Sequence, residues 1–428
     1  MSFRQRLKEI RSGFRPAFWV ANATELFERL AFYGQQAVLA IFFHESLRLS
    51  VQDTGALMGD FGFAVYLLPV FAGALADRFG FRRSLAFAYL IASIGYFLLG
   101  SLSAGWMAPV RQSVPLYWLI FMILMVTALG PSLVKPCVVG TIATASDETV
   151  RSLGYSIYYM LVNIGGAVGP IVAFLVRRAI GVENVFRVSA LSVFLMCIAT
   201  LLFYREPPSA SAARPAVPSV GQAIRNMFVV LGNFRFVLFL LIFSGFWVMF
   251  YEFFVAMPLY IRSYVDPNAD VDLILSVDAL TIIFFQVTVS YLTRKIRAFP
   301  AMILGTLIAT LSMPIVSAYP STWLVVIALV VFSLGEMTQA PRYYEYVSRL
   351  APPGQQGVFM GFAFLPIAVG YKIAGWLGGY LVHRYGEELH RPRQMWWVLA
   401  AIGFATTLLM WVYNRAVQPG NQKNEEAP

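Results

Sequence analysis

Gly73-Ala74-Leu75-Ala76-Asp77-Arg78-Phe79-Gly80-Phe81-Arg82-Arg83 is the stretch on which the fold assignment turns. It joins two apolar runs, 54–76 and 84–103, and a bilayer crossing takes about 20 such residues. Its glycines permit close helix approach and a tight turn. Asp77 is placed to accept hydrogen bonds at a helix end, and the arginines anchor the turn at an aqueous surface. Two spans joined by a short basic turn mean a chain that crosses the membrane more than once.

The rest of the chain follows suit. Of its 428 residues 59% are hydrophobic and 13% charged, with a mean hydropathy of +0.68, where a soluble domain carries about 25% charged residues. Working outward from the quoted turn, we read twelve spans. The first six are 17–43, 54–76, 84–103, 115–143, 153–176 and 185–204. The second six are 234–262, 274–293, 300–318, 322–346, 356–382 and 395–414. One long polar break separates the sets, opening with Arg205-Glu206-Pro207-Pro208 and running through Ser, Ala and Pro to Pro218. The predicted division is an N-terminal six-helix bundle at 1–204, a cytoplasmic linker at 205–233, a C-terminal six-helix bundle at 234–415 and a tail at 416–428.

The net charge of +10 does not point to nucleic acid, because the basic residues sit at span ends, where membrane topology accounts for them. Arg4, Arg6, Lys8, Arg11 and Arg15 lead directly into a full-length span with no cleavable signal pattern. Loops on the N-terminal side hold Arg78, Arg82, Arg83, Arg151, Arg205, Arg214, Arg225, Arg294, Lys295, Arg297 and Arg349. Both termini are therefore expected in the cytoplasm. The loop at 383–393, with Arg384, Arg391 and Arg393, runs against that bias. Cys137 and Cys197 lie in apolar spans, so no disulfide framework is expected.

This layout resembles the major facilitator superfamily, whose loop signature is matched by Gly73, Asp77, Arg78, Gly80, Arg82 and Arg83. The resemblance implies an all-α membrane fold of two six-helix bundles. The equivalent loop of the second half, 291–297, keeps only basic character in Arg294, Lys295 and Arg297.

Charges inside spans carry the functional signal, since each costs a few kcal/mol at bilayer depth. Those deepest in the spans are Glu25, Glu28, Arg29, Lys135, Glu252, Glu336 and Lys372, while Asp60, Asp278, Arg342 and Glu345 lie nearer span ends. In Glu25-Leu26-Phe27-Glu28-Arg29-Leu30-Ala31-Phe32-Tyr33-Gly34, the spacing puts Glu25, Glu28 and Arg29 on one helix face, with Tyr33 a turn further on. Lys135 precedes Pro136 in the middle of the fourth span, and a span-one carboxylate is its natural partner. Glu252 follows an aromatic run and Glu336 follows Gly335; both belong to the second half. That asymmetry suits a zwitterion, with its amine toward Glu336 and its carboxylate toward Lys135. Tyr33, Tyr66, Tyr158, Tyr159, Trp247 and Tyr251 cluster near these charges and are expected at a cavity.

These residues resemble the proton-dependent oligopeptide transporters. Glu25, Glu28, Arg29, Phe32, Tyr33 and Gly34 match the first-helix motif, with Leu30 where the family has Phe. Lys135-Pro136 matches the fourth helix, and Tyr158, Tyr159, Asn163, Ile164 and Gly165 match the fifth. Glu252 resembles the seventh-helix acid, and Gly335, Glu336, Pro341 and Leu350-Ala351-Pro352 resemble the tenth. The resemblance implies import of di- or tripeptides coupled to inward proton flow. Glu25, Glu28, Arg29, Lys135 and Glu252 would couple protons. Tyr33, Gln36, Tyr66, Lys135, Tyr159, Asn163, Trp247, Glu252 and Glu336 would hold the substrate.

Departures concern the substrate. Gln36 stands where the family has Arg, Arg342 and Lys372 stand where it is uncharged, and Ala363 and Tyr371 stand where span eleven has Trp and Asn. The 205–233 linker is too short for the two extra helices of many bacterial members. The expectation is a monomeric symporter of the bacterial cytoplasmic (inner) membrane, taking a small peptide or peptide-like zwitterion by alternating access. It needs no cofactor beyond the proton gradient and binds no metal and no nucleic acid. The alternative is a proton-coupled drug or metabolite exporter. An enzyme is not expected: His44, His383 and His390 lie at the outer rim, with no nucleophile or metal spacing.

Overall fold

A computed structural model describes residues 13–69, 79–207, 232–350 and 362–417. Gly73, Asp77 and Arg78, most of the 205–233 linker, Ala351-Pro352 and the end of the tail lie outside the described residues. Among the described residues there are helices and no strands beyond one isolated bridge, Phe14 to Ser146.

Among the described residues, twelve helices of 17 residues or more follow in order. They are α1 Pro16–Ile41, α2 Val51–Leu67, α3 Phe81–Ser101, α4 Leu116–Ala145, α5 Glu148–Ile180, α6 Val182–Phe203, α7 Phe234–Glu252, α8 Val271–Thr293, α9 Ala298–Ala318, α10 Thr322–Leu350, α11 Leu365–Leu381 and α12 Met395–Val417. Ten stretches, containing α3 to α12, are long and apolar enough to cross a membrane among the described residues. The other two helices fall short for identifiable reasons. α1 is 26 residues long but carries three charges, and α2 is described for only 17 residues.

The chain groups into two compact units. One holds the residues to Leu47 and from Ala64 to Ala223, the other those from Arg48 to Phe63 and from Ile224 onward. Within the first, α1 packs on α5 and α6, and α3 packs on α4 and α6. Within the second, α9 packs on α10 and α12, α7 on α11 and α12, and α8 on α10.

Two features of the sequence fix local geometry here. Gly80 has φ +83, a left-handed conformation that a side chain would strain, and it caps α3. Glu206 accepts from the Arg82 backbone N–H at 2.8 Å, placing a carboxylate where the α3 dipole favours one. The Arg82 guanidinium bonds the Leu201 carbonyl, so the described half of the quoted turn ties α3 to the end of α6. In the second unit α7 stops at Glu252, and the span resumes at Ala256–Tyr260 after a three-residue turn. Pro258 explains the interruption: it has no N–H for the carbonyl four residues back, and its ring crowds that carbonyl.

Candidate functional site

The first unit buries a compact charge cluster. Glu25 and Glu28 are 0% exposed and Arg29 is 1% exposed. Arg29 Nε donates to Glu28 Oε2 at 2.5 Å and lies 3.3 Å from Glu25 Oε1, while its Nη2 also pairs with Glu28. The helical spacing expected for these three is therefore realised as one guanidinium held by two carboxylates. α5 comes close enough to seal this site because Gly165 packs against the Arg29 backbone and Cβ, leaving no room for a side chain.

Charge counting explains what the cluster can do. Two ionised glutamates and one arginine leave a net negative charge in a fully buried place. Lys135 supplies an offsetting field at both glutamates. Its ammonium stands 5.0 Å from the centre of the Tyr66 ring, a cation–π arrangement. A proton on either glutamate offsets the same charge, so protonation and the position of Lys135 are interchangeable ways of balancing the site.

Two tyrosines complete its walls, and spacing arguments had not singled them out. Tyr89 Oη donates to Thr24 Oγ1 at 3.0 Å, one residue before Glu25, and is fully buried. Tyr96, seven residues along α3, is also fully buried, and its hydroxyl has no hydrogen-bond partner among the described residues. The signal was present: two hydroxyl-bearing aromatics at i and i+7 on a span are unusual cargo for a lipid-facing surface.

The second unit holds its acids differently. Glu252, the last residue of α7, is 0% exposed, and neither carboxylate oxygen has a hydrogen-bond partner among the described residues. It presses on α11 at Gly378, where a Cβ would collide with Oε2. An ionised carboxylate there would be uncompensated, so the position accepts a proton or a cation. Glu336 on α10 is half-buried, and its Oε2 likewise lacks a hydrogen bond. One turn earlier on the same helix, Ser333 Oγ donates to Asp278 of α8 and to the Leu329 carbonyl. Asp278 is thus a second acid beside Glu336, although its place near a span end had made it look uninformative.

The remaining predicted residues fall into three settings. Tyr33 is half-buried with its ring edge-on to Phe32, and Tyr66 is buried under Lys135. Gln36 is buried and accepts from Gln35 Nε2 at 3.2 Å, so the position expected to meet substrate is tied to its own helix neighbour. Asn163 Nδ2 donates to the Tyr159 carbonyl at 2.8 Å, while the Tyr159 ring is well exposed. Trp247 is buried in an aromatic run with Phe246 and Phe250, and its Nε1 has no hydrogen-bond partner among the described residues. Tyr251 and Tyr371 stack at 3.7 Å beside it. No group of three metal-binding side chains exists among the described residues.

One further ion pair unites residues 312 positions apart in sequence: Lys372 of α11 bonds Asp60 of α2. Their side chains are 49% and 20% exposed. At this level α2 and α11 touch through backbone, Gly59 lying against Gly375 and the carbonyls of Tyr371 and Lys372. The extra lysine of span eleven therefore has an acid of its own.

Similarity to known proteins agrees with this architecture. The multidrug resistance protein MdtH of Enterobacter sp. (strain 638) is 21% identical over 387 residues, covering 89% of this chain and 90% of that protein. A POT family transporter solved in complex with 5-aminolevulinic acid superposes with a TM-score of 0.76 at 18% identity, covering 93% of this chain and 96% of that one. The nucleoside transporter NupG gives a TM-score of 0.77 at 13% identity, covering 93% and 99%. At such identities the structures establish the fold alone. The sequence profile of the Major Facilitator Superfamily matches residues 24–365 and 255–428, and by that match, over most of its length, the chain belongs to the Major Facilitator Superfamily.

Proposed function

We propose that the protein is a proton-coupled symporter that imports di- or tripeptides, or a peptide-like zwitterion, by alternating access. The observation that carries this reading is Glu252: a fully buried carboxylate with no hydrogen-bond partner among the described residues, at the end of an interrupted membrane helix. Interrupted helices at ionisable residues are where transporters place coupling and substrate sites. Proton uptake at Glu252 and at the Glu25–Glu28–Arg29 cluster lets Lys135 turn to the substrate carboxylate. Glu336, with Asp278 beside it, receives the substrate amine. Deprotonation restores the internal ion pairs and releases the cargo. The bound 5-aminolevulinic acid of the structurally similar transporter is itself a small amino-carboxylic zwitterion, which supports this substrate class. The setting is the cytoplasmic membrane of a bacterium, with both termini inside and one chain as the working unit; the energy source is the proton gradient.

A second reading, proton-coupled export of drugs or metabolites, is favoured by the name of the curated relatives, which match along nearly their whole length. Uptake into proteoliposomes separates the two. An imposed inward proton gradient should drive accumulation of labelled dialanine; gradient-driven efflux of a drug panel with no peptide accumulation would favour export.

A further inference from the structure

The basic residues of the connection between α11 and α12 have no use in membrane topology. They lie on the face opposite the C-terminus, where Lys and Arg are normally scarce. The acids of the same connection do not neutralise them. His383 pairs with Glu387 at 2.6 Å and with Glu388 at 3.1 Å, and Arg384 pairs with Glu388. Glu387 and Glu388 are thereby held by His383 and Arg384, and Arg391 and Arg393 have no ion pair among the described residues.

That charge lines a cavity. In the second unit, Ser317, Tyr385, His390, Arg391, Arg393 and Trp397 surround a space of about 880 Å³, and no carboxylate is among its walls. The floor is built rather than incidental. Arg393 Nε donates to the Ser317 carbonyl at 2.8 Å, and Ser317 Oγ donates back to the Arg393 carbonyl at 3.0 Å. With Nε so engaged, the guanidinium is fixed in place and its Nη donors remain for a ligand. His390 holds φ +53, a conformation that side chains seldom adopt, and the Arg391 N–H bonds the Tyr385 carbonyl at 2.7 Å. The chain is thus turned so that His390, Arg391 and Arg393 meet one space.

Position decides the kind of anion. Trp397 is well exposed beside the cavity, and Trp376 and Tyr380 stack, largely exposed, on the turn of α11 that leads toward it. Exposed tryptophan and tyrosine at a helix end mark headgroup height in a bilayer. A basic pocket at that depth is within reach of phosphate-bearing lipid heads, and guanidinium groups match a phosphodiester. We propose that this cavity binds the phosphodiester headgroup of an anionic phospholipid, with Arg391 and Arg393 on the phosphate and Trp397 at the glycerol level. The inference stands apart from the transport reading and uses none of its residues.

The test uses the full-length protein in neutral detergent, with phosphatidylglycerol, phosphatidylcholine and inorganic phosphate as probes and both thermal shift and native mass spectrometry as readouts. Phosphatidylglycerol should bind saturably and raise the melting temperature, while phosphatidylcholine should not. Arg391→Gln leaves the Arg393–Ser317 tie intact and should weaken phosphatidylglycerol binding about fivefold; adding Arg393→Gln should bring the loss to about thirtyfold. Equal binding of phosphatidylcholine would overturn the proposal, as would unchanged affinity in Arg391→Gln. Inorganic phosphate binding as tightly as the lipid would also overturn it, by showing a free-anion pocket.

Discussion

The two units bury their acids in opposite ways. In the first, Glu25 and Glu28 share one guanidinium, with Lys135 acting on both, so the charges are balanced within the cluster. In the second, Glu252 is equally buried, yet its carboxylate has neither an ion pair nor a hydrogen bond among the described residues. A paired cluster ties helices together while it takes up a proton; a lone buried acid is a place where one proton makes a large difference. The contrast separates a proton site that also ties helices together from one that stands by itself.

The contrast predicts very different costs of substitution. Arg29→Gln removes the guanidinium that two buried carboxylates share and should cost about 3–5 kcal/mol, the usual penalty for breaking a buried pair from one side. Thermal melting of the purified variant would show this, and near-wild-type stability would mean the cluster is already protonated. Next comes Gly165→Val, which drives a branched side chain into Arg29 and should cost about 1–3 kcal/mol by overpacking. A variant as stable as wild type would show that α5 can move away from α1 at no cost.

Smaller effects should follow where a single hydrogen bond or an exposed pair is lost. Tyr89→Phe deletes the bond to Thr24 and should cost about 0.5–1.5 kcal/mol, read from the same melting experiment. Smallest is Lys372→Met, because the Asp60–Lys372 pair is partly exposed and such pairs contribute roughly 0–1 kcal/mol. If the pair matters to the transport cycle, uptake should fall in Lys372→Met and return in the exchanged variant carrying Asp60→Lys and Lys372→Asp. Uptake that never falls would leave the pair a packing detail.

How far the sequence reached depended on whether a feature was local. The spans were legible because twenty apolar residues in a row announce themselves, and the Glu25–Glu28–Arg29 face was legible because i, i+3 and i+4 share a helix side. Gly165 could be picked out in its motif, but its job of admitting Arg29 needs the neighbouring helix. Asp278 beside Ser333 and Glu336, Tyr89 on Thr24, and Asp60 with Lys372 all join different helices, and no spacing rule reports a contact across such distances. Lys135 was expected to find its partner on the first span; its field reaches both glutamates, and its ammonium also stands over the Tyr66 ring. The end of α7 at Glu252 was hidden inside an apolar run, although Pro258 carried the signal for it.

The central claim is that Glu252 must take up a proton for the gradient to drive transport, working with the paired cluster of the first unit. Proteoliposome uptake of labelled dialanine under an imposed inward proton gradient, comparing wild type with Glu252→Gln, tests it most directly. The account predicts gradient-driven accumulation in wild type. In Glu252→Gln it predicts normal folding, loss of that accumulation and intact peptide-for-peptide exchange. Undiminished gradient-driven accumulation in Glu252→Gln would contradict it.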